Sequence, residues 1–196
     1  MLEIDLLGNG PSLNELRINK LLENTNILIS CNRIFLHKDF DKFSHKTILC
    51  LSDISFKNKE KKMKKLSTIC KKIFYPSDYK WTKIESEKLM PYRINREKCK
   101  ASIVLENIHN YPVVRESCSV LFTIMIPLCL YHKPKKINLY GFDGTYNKST
   151  KYFYKDSDNN DYSWDNKQAD NWALLFKEEM KTFLNFCHIN KIEVVK

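Results

Sequence analysis

Glycine is scarce in this chain of 196 residues, and its four glycines fall into two short motifs. The first motif runs from Gly8 to Ser12 and reads GNGPS, and the second runs from Gly141 to Gly144 and reads GFDG. Each follows an apolar run typical of a strand, at 2–7 and at 136–140. Glycine lets a backbone turn sharply or a ligand approach closely, and a strand, a glycine turn and a helix start together cradle phosphate groups. The two motifs therefore predict a nucleotide-using α/β enzyme.

Polar side chains follow the apolar segments that are typical of buried strands. These segments are 2–7, 26–30, 47–51 and 137–140, and the polar residues after them are Asn9, Asn32, Asp53 and Asp143. Such strands alternating with helices indicate a parallel sheet covered on both faces. Ligands bind these sheets at the carboxyl ends of the strands, where the strand order reverses. We therefore expect the four side chains on one rim, although any one of them alone is more often a turn residue.

The other elements complete a single α/β domain over residues 1–196. The pattern Ser12 to Glu15, with Pro11 ahead of it, is a capping box and predicts a first helix that starts at Ser12. Residues 73–75 form a further strand, whereas 76–112 give no clear prediction. The apolar run 118–131 is too short to span a bilayer and predicts a buried helix that Pro127 kinks or restarts.

The end of the chain has a strong helical pattern. Residues 164–191 predict a long amphipathic helix, and 192–195 predict a last strand. The apolar positions expected in the core are Trp172, Leu175, Phe176, Met180, Phe183, Leu184 and Cys187.

The net charge of +10 favours an anionic partner. Much of the excess lies in a lysine cluster at 57–65, which we interpret as a solvated helix face, with a membrane-surface patch and a nucleic-acid patch as alternatives. No nucleic-acid recognition motif is present, and we do not expect nucleic-acid binding. His37, His45, His109 and His132 are interpreted as surface or structural residues.

The seven cysteines are odd in number and show no CxxC spacing. Several lie inside apolar runs, which predicts buried free thiols in a reducing, cytoplasmic compartment. No cluster of Cys and His has ligand spacing, so no zinc site is expected. No basic segment precedes an apolar stretch at the start, so we expect no signal peptide.

Residues 8–13 (GNGPSL) and 31–35 (CNRIF) resemble the opening of the bacterial sialyltransferases of glycosyltransferase family 42. Residues 115–120 (RESCSV) are similar to the family's arginine block, and the strand and Gly-x-Asp turn at 137–143 match in order. The similarity covers most of the chain, with 54–112 poorly matched. Near relatives share these motifs, including other sugar transferases and a domain of flagellin-glycosylation proteins.

The resemblance implies a Rossmann-like domain with a reduced lid, and a metal-independent enzyme without a cofactor. It implies transfer of an acidic sugar from a CMP-activated donor to a glycan or lipid-linked acceptor. Asn9 and Asn32 would contact the cytidine nucleotide, and Asp53 or Ser52 would lie near the sugar. The full set of nucleotide-binding residues that we infer is Gly8, Asn9, Gly10, Ser12, Asn32, Asp53, Ser117, Cys118, Ser119 and Asp143.

The same resemblance assigns catalytic roles. Tyr146 and Tyr152 have the spacing of the family's two tyrosines that hold the departing phosphate, and Arg115 matches its arginine. Asp165 stands where the family has its catalytic histidine, so Asp165 is the candidate general base, with a helix N-cap as its alternative role. An aspartate of ordinary pKa is a weaker base than histidine. Three alternatives follow: Asp165 acts as the base on a different acceptor, the alignment at this position is wrong, or the chain is not an active sialyltransferase.

Alternatives from other classes remain open at this stage. Residues 156–158 read DSD, a metal–diphosphate motif of other glycosyltransferases, although the surrounding sequence favours a solvated loop. A transferase that uses another nucleotide donor and a non-catalytic binding relative are the competing functions. Peripheral contact with the inner face of a membrane and a homo-oligomer also stay open.

Overall fold

The computed structural model describes residues 2–24, 27–53, 56–79, 81, 86–95, 105, 113–115, 119–144 and 166–196. Within these residues the chain forms one sheet of eight strands in the order β6-β5-β4-β3-β2-β1-β7-β8. The strands are β1 Glu3–Leu7, β2 Ile27–Cys31, β3 Thr47–Cys50, β4 Lys72–Pro76, β5 Leu89–Asn95, β6 Val113–Arg115, β7 Lys136–Tyr140 and β8 Glu193–Val195. All neighbouring strands are parallel, which confirms the predicted parallel sheet.

Helices cover both faces of this sheet. They are α1 Ile18–Asn24, α2 Phe40–Phe43, α3 Glu60–Ile69, α4 Ile126–Tyr131 and α5 Asn166–Ile189. Residues of α1, α2 and α3 share one apolar core with Leu7 and Leu49, and residues of α4 and α5 share a second core with Ile4 and Leu6. We call these two faces the α1 side and the α5 side. The two cores confirm the predicted α/β fold with helices on both faces.

The strand order reverses next to β1. From β1 the chain moves outward through β2, β3, β4, β5 and β6, and it then returns to place β7 on the other side of β1. The connection after β1 leads to the α1 side, whereas the helix that follows β7 packs on the α5 side. The carboxyl ends of β1 and β7 therefore flank the crevice where α/β sheets bind ligands.

A polar network fixes the register of β1 against β7. Asp5 pairs with Asn138 in the ladder, and the Asn138 amide donates to Asp5 Oδ1 and to Glu3 Oε1, at 2.6 Å each. Lys136 Nζ lies 3.1 Å from Glu3 Oε1. Hydrogen bonds from Asn138 and Lys136 lower the pKa of Glu3. A slip of one residue would leave the buried Asp5 carboxylate without its amide partner, so this network specifies the register.

The predicted start of the first helix is wrong. Residues Pro11–Glu15 form a short 3₁₀ turn with Gly10 as its N-cap, no side chain caps it, and α1 begins only at Ile18. Ser12 lies inside the turn, and its backbone N–H donates to the carboxylate of Asp143, at 3.0 Å. This long-range bond takes the place of the local capping box.

The helix predicted at 118–131 is formed in two parts. Leu121–Met125 is a π-helical turn, and α4 follows with Pro127 in its first turn. Proline lacks a backbone donor and is tolerated in the first turn of a helix. Met125 and Ile126 keep helical backbone angles, so the π-helical turn passes into α4 without a break.

Two strands lie in or directly after the segment 76–112, which had no clear prediction: β5 lies within it, and β6 follows it. Pro91, which has no backbone N–H to donate to a ladder, lies in β5 opposite Tyr75 of β4. It lies outside the part of β5 that pairs with β6, since that pairing covers only Arg93 to Asn95.

The core positions predicted on α5 are confirmed in part. Phe176, Met180, Phe183 and Cys187 are buried, as their helical spacing predicts. Leu175 and Leu184 are exposed by 39% and 40%, so their assignment to the core is wrong. Each is offset by one position from the buried stripe, and Trp172 is half-buried.

The lysine cluster at 57–65 is largely a solvated helix face, as interpreted. In α3 the residues Met63, Leu66 and Ser67 are buried, whereas Lys61, Lys64 and Lys65 are exposed. Among the described residues, no helix combines the length and apolar character needed to cross a bilayer.

The described cysteines confirm the prediction of buried free thiols. Cys31, Cys50, Cys70, Cys129 and Cys187 are all free and buried, whereas Cys99 and Cys118 lie outside the described residues. Burial raises the pKa of the Cys31 thiol to about 12, so it stays protonated and unreactive near neutral pH.

Candidate functional site

The two glycine motifs contact each other at the carboxyl ends of β1 and β7. The Gly8 N–H donates to the Tyr140 carbonyl and the Gly10 N–H donates to the Gly141 carbonyl, both at 2.7 Å. A Cβ atom on Gly8 would overlap the carbonyl oxygen of Gly141. Gly141 itself has a φ of +70°, which L side chains rarely adopt. The close approach of two loops therefore requires glycine at these positions.

Asp143 supplies a negative charge at the start of the 3₁₀ turn. Its Oδ2 atom accepts the hydrogen bond from the Ser12 N–H, and a Cβ atom on Gly10 would overlap the same carboxylate. The backbone donor that the sequence offered to a phosphate is thus bound by the protein's own carboxylate.

Asn9 lies between the two glycines of the first motif and carries an unsatisfied acceptor. Its Nδ2 donates to the Cys31 sulfur at 3.5 Å, and this contact orients the amide. Its Oδ1 atom is buried and has no hydrogen-bond partner within the described part of the chain. Buried polar atoms in native proteins are nearly always paired, and an unpaired one costs about 1–3 kcal/mol. An N–H or O–H donor of a ligand would satisfy this oxygen.

Asn32 connects the ends of β2 and β3. Its φ of +44° lies in the left-handed region, which asparagine tolerates better than most residues. Its N–H donates to the Cys50 carbonyl at 2.9 Å, and its Oδ1 accepts from the Ser52 N–H at 3.2 Å. The side-chain oxygen of Asn32 thus positions the loop after β3.

Asp53 forms an ion pair that the sequence did not reveal. Arg33 Nη1 lies 2.8 Å from Asp53 Oδ2, and the two side chains are only 14% and 11% exposed. The guanidinium group also lies over the ring of Phe56, 5.4 Å from its centroid. Arg33 directly follows Asn32 and Asp53 follows the next strand, so the parallel order of β2 and β3 was the signal that could have suggested the pair.

Ser119 lies at the start of the π-helical turn and faces α5. Its Oγ donates to Glu179 Oε2 at 2.8 Å, and Glu179 is only 5% exposed. This bond joins the beginning of the π-helical turn to the middle of α5. Sequence reasoning missed Glu179, although its helical spacing from Phe176 and Phe183 places it on the buried stripe of α5.

The predicted rim is confirmed as a geometric feature. Asp143, Asn9, Asn32 and Asp53 follow one another along the carboxyl edge, joined by the contacts of β7, β1, β2 and β3. Arg115 ends β6 at the same edge, but β2 to β5 separate that strand from β1. Other predicted site residues lie outside the described residues: Ser117, Cys118, Tyr146, Tyr152, Asp165 and the motif at 156–158.

A cleft of about 570 Å³ opens beside the glycine contact on the α1 side. Its lining consists of Ser12, Glu15, Leu16, Arg17, Leu21, Leu139, Tyr140, Gly141, Phe142, Asp143 and Lys196. Burial and the carboxylates of Asp5 and Glu3 raise the pKa of Tyr140, so its phenol remains a donor. No group of three His, Cys, Asp or Glu side chains within the described ranges could hold a metal ion.

Comparisons with known proteins identify the fold. No family model matches the sequence, and a search of curated proteins finds no match. The monofunctional alpha-2,3-sialyltransferase Cst-I from Campylobacter jejuni is similar in structure, with a TM-score of 0.58, 15% identity, and coverage of 99% of this chain and 74% of that one. The sialyltransferase CstII from Campylobacter jejuni, solved with the substrate analogue CMP-3FNeuAc, has a TM-score of 0.50, 15% identity, and coverage of 99% and 80%. At this identity the likeness shows a shared fold.

Proposed function

We propose that this chain is a sialyltransferase-like glycosyltransferase that moves an acidic sugar from a CMP-activated donor to a glycan or lipid-linked acceptor. The observation that carries the proposal is the buried, unpaired Oδ1 atom of Asn9 at the reversal of strand order. A site built for a hydrogen-bond donor leaves such an acceptor unsatisfied until the ligand binds.

The chemistry around Asn9 suits a nucleoside. The contact with the Cys31 sulfur turns the amide nitrogen inward and leaves the oxygen as an acceptor. The Cys31 thiol stays protonated, so it adds no negative charge behind the site. The exocyclic amine of cytosine and the hydroxyls of ribose are donors that fit this oxygen. The analogue bound by CstII is also a CMP-sugar, which favours cytidine among the nucleosides.

The charge balance of the rim suits an acidic sugar. A free carboxylate at Asp53 would repel the carboxylate of such a sugar, but the ion pair with Arg33 compensates its charge. We therefore assign Asp53 a role in positioning Arg33 near the sugar. For Asn32 we propose that the side-chain amide nitrogen donates a hydrogen bond to the ligand, since the side-chain oxygen already accepts one from the Ser52 N–H.

In the proposed reaction, Asp165 accepts the proton of the acceptor hydroxyl as its oxygen bonds to the anomeric carbon. The bond from that carbon to the phosphate oxygen breaks, and CMP leaves with the bonding electrons. The phenols of Tyr146 and Tyr152 stabilise the growing negative charge, so no divalent ion or cofactor is needed. Arg115, whose strand is separated from β1 by four others, is not assigned a contact with the leaving group. We place Ser117, Cys118 and Ser119 against the ribose and phosphate.

The test is a thermal-shift panel of CMP, UMP, GMP and AMP followed by calorimetry. We expect CMP alone to raise the melting temperature, because a ligand at 100 times its Kd stabilises the native state by about 2.7 kcal/mol. The variant Asn9→Ala should bind CMP about 5-fold to 150-fold more weakly, since it removes an acceptor worth about 1–3 kcal/mol. Asn58→Ala, an exposed asparagine at the surface, is the matched control and should bind like the wild type.

Each result has a distinct meaning. Equal CMP affinity in wild type and Asn9→Ala would contradict the assigned site. A shift by UMP or GMP alone would favour a transferase with another donor. No shift by any nucleotide would favour a non-catalytic relative.

A further inference from the structure

A basic and apolar surface lies at the amino edge of the sheet, opposite the candidate site. It combines exposed lysines with large apolar side chains at the ends of two helices. Its members, which we call the amino-edge surface, are Lys71, Lys72, Tyr131, Lys133, Lys135, Ile189 and Lys191.

The helices α4 and α5 bring part of this surface together. They run in the same direction on one face of the sheet, because Ser119 bonds to Glu179 and the rings of Phe122 and Phe183 pack at 6.1 Å. Their last residues, Tyr131 and Ile189, therefore end at the same edge.

Lysines occupy the short connections from these helices to the next strands. Lys133 and Lys135 lie between α4 and β7, and Lys191 lies between α5 and β8. The two connections touch, since the Glu193 N–H donates to the Lys135 carbonyl at 3.0 Å. Lys136 is not part of the surface, because it pairs with Glu3.

Lys71 and Lys72 reach the same surface from the neighbouring part of the sheet. They open β4, and the Lys71 N–H donates to the Thr47 carbonyl at the start of β3. The ring of His132 is next to Tyr131 in sequence. Burial lowers the pKa of His132, and the positive charges of Lys71 and Lys72 lower it further. The positive charges of this edge thus act on one another across the two segments.

The apolar members distinguish this edge from a purely electrostatic patch. Tyr131 is 59% exposed and Ile189 is 68% exposed, although both helices bury their other faces in the core. A single exposed apolar residue is common, but these two stand at one edge among five lysines. Bilayer interfaces take up aromatic and aliphatic side chains at headgroup level while lysines contact anionic lipids. The sugar–phosphate backbone of a nucleic acid offers the apolar pair no such environment.

We infer that the amino-edge surface docks on a bilayer that contains anionic phospholipids, with Tyr131 and Ile189 at headgroup level. The carboxyl edge with Asn9 then faces away from the bilayer and stays open to ligands. This inference does not depend on the nucleotide that the site takes.

Vesicle co-sedimentation tests the inference. The probes are vesicles of phosphatidylcholine alone and vesicles that also contain phosphatidylglycerol. We expect the wild type to bind the anionic vesicles and not the zwitterionic ones. The triple variant Lys133→Gln, Lys135→Gln, Lys191→Gln should bind about 100-fold more weakly, since each lysine near an anionic surface contributes about fivefold.

A matched triple variant controls for net charge. Lys57→Gln, Lys59→Gln and Lys61→Gln remove the same charge from exposed positions around the start of α3, beyond the carboxyl end of β3. We expect it to bind anionic vesicles like the wild type, and both triple variants to bind CMP like the wild type. If the wild type binds CMP but not anionic vesicles, this inference fails and the proposed function stands. If it binds the vesicles but not CMP, the proposed function fails and this inference stands.

Two further readouts address the apolar pair and the histidine. Tyr131→Ser with Ile189→Ser should weaken vesicle binding about tenfold, because it removes buried apolar area at the interface. The pKa of His132, followed by NMR, should rise when anionic bicelles compensate Lys71 and Lys72. Equal losses of affinity for anionic vesicles in the two triple lysine variants would overturn the inference. So would binding to a duplex oligonucleotide through these lysines without any binding to vesicles.

Discussion

Replacement of Gly8 by alanine is the sharpest test of how β1 and β7 meet. The new Cβ would overlap the Gly141 carbonyl oxygen and would lie 2.9 Å from Cε1 of Phe142 and 3.0 Å from the Gly141 carbonyl carbon. Two of these neighbours are backbone atoms of a buried loop, so they cannot rotate away as a flexible side chain can. The two loops must therefore separate.

The expected loss in the free energy of unfolding follows from the contacts that this separation weakens. Overpacking of a dense region costs about 1–3 kcal/mol. Separation also weakens the backbone hydrogen bonds from Gly8 to Tyr140 and from Gly10 to Gly141, at about 1 kcal/mol each. Since partial relaxation reduces the sum, we expect a loss of about 2–4 kcal/mol in the free energy of unfolding. For a chain of this size that corresponds to a fall of roughly 4–16 °C in the melting temperature.

Urea unfolding of Gly8→Ala and two control variants measures this loss. At Gly10 the new Cβ would meet the movable carboxylate of Asp143 and also the Gly141 carbonyl oxygen at 2.7 Å. Because only one close backbone atom is involved there, against two at Gly8, Gly10→Ala should cost somewhat less than Gly8→Ala. Gly144 has a φ of +67°, and its Cβ would meet the Phe176 ring at 3.0 Å, so Gly144→Ala should cost about 1–2 kcal/mol, mostly as backbone strain. A loss below about 0.5 kcal/mol for Gly8→Ala, which is the range of neutral surface substitutions, would refute the contact.

Two more predictions rest on the contacts of Arg33 and His37, and a third tests the proposed base. Arg33→Ala removes the guanidinium partner of the Asp53 carboxylate and should lower the unfolding free energy by about 2 kcal/mol, whereas Arg33→Ala with Asp53→Asn should recover part of it; a double-mutant cycle in urea checks this. Burial lowers the pKa of His37 from its usual 6.5, so stability should be constant above that pH and fall below it as the unfolded chain binds a proton; His37→Gln should flatten this dependence in unfolding measured against pH. Asp165→Asn should reduce turnover about 10²-fold to 10⁴-fold with CMP affinity unchanged if Asp165 is the base, whereas a helix cap predicts wild-type rates.

The fold was predictable where a strand is continuous and apolar. The central strands β1, β2, β3 and β7 carry such runs. No end of these four strands differs from its predicted position by more than one residue. The strand β5 carries Pro91 and Arg93, and β6 has only three residues, so local sequence gave no signal for either. Both are specified by pairing with a neighbour already in place, which is information that a window of sequence does not contain.

The site was predictable to the level of its rim and no further. Strand ends determine which residues meet at an edge, and that reasoning located Asn9, Asn32 and Asp53. The pairings of their side chains depend on distances across the fold. Arg33 neutralises Asp53 over a separation of 20 residues, and Glu179 accepts from Ser119 over a separation of 60. Residue types alone do not select such partners among the many charged residues of this chain.

The glycine motifs show how one signal can have two causes. Scarce glycine at strand ends is expected where a ligand approaches the backbone, and it is equally expected where two loops of the chain approach each other. At Gly8 and Gly10 the overlapping atoms belong to Gly141 and Asp143, so the fold requires these glycines whatever ligand binds. Asn9 differs, because none of the residues that the structure describes satisfies its buried oxygen. Asn9, rather than the glycines on either side of it, is therefore the residue that supports a nucleotide site.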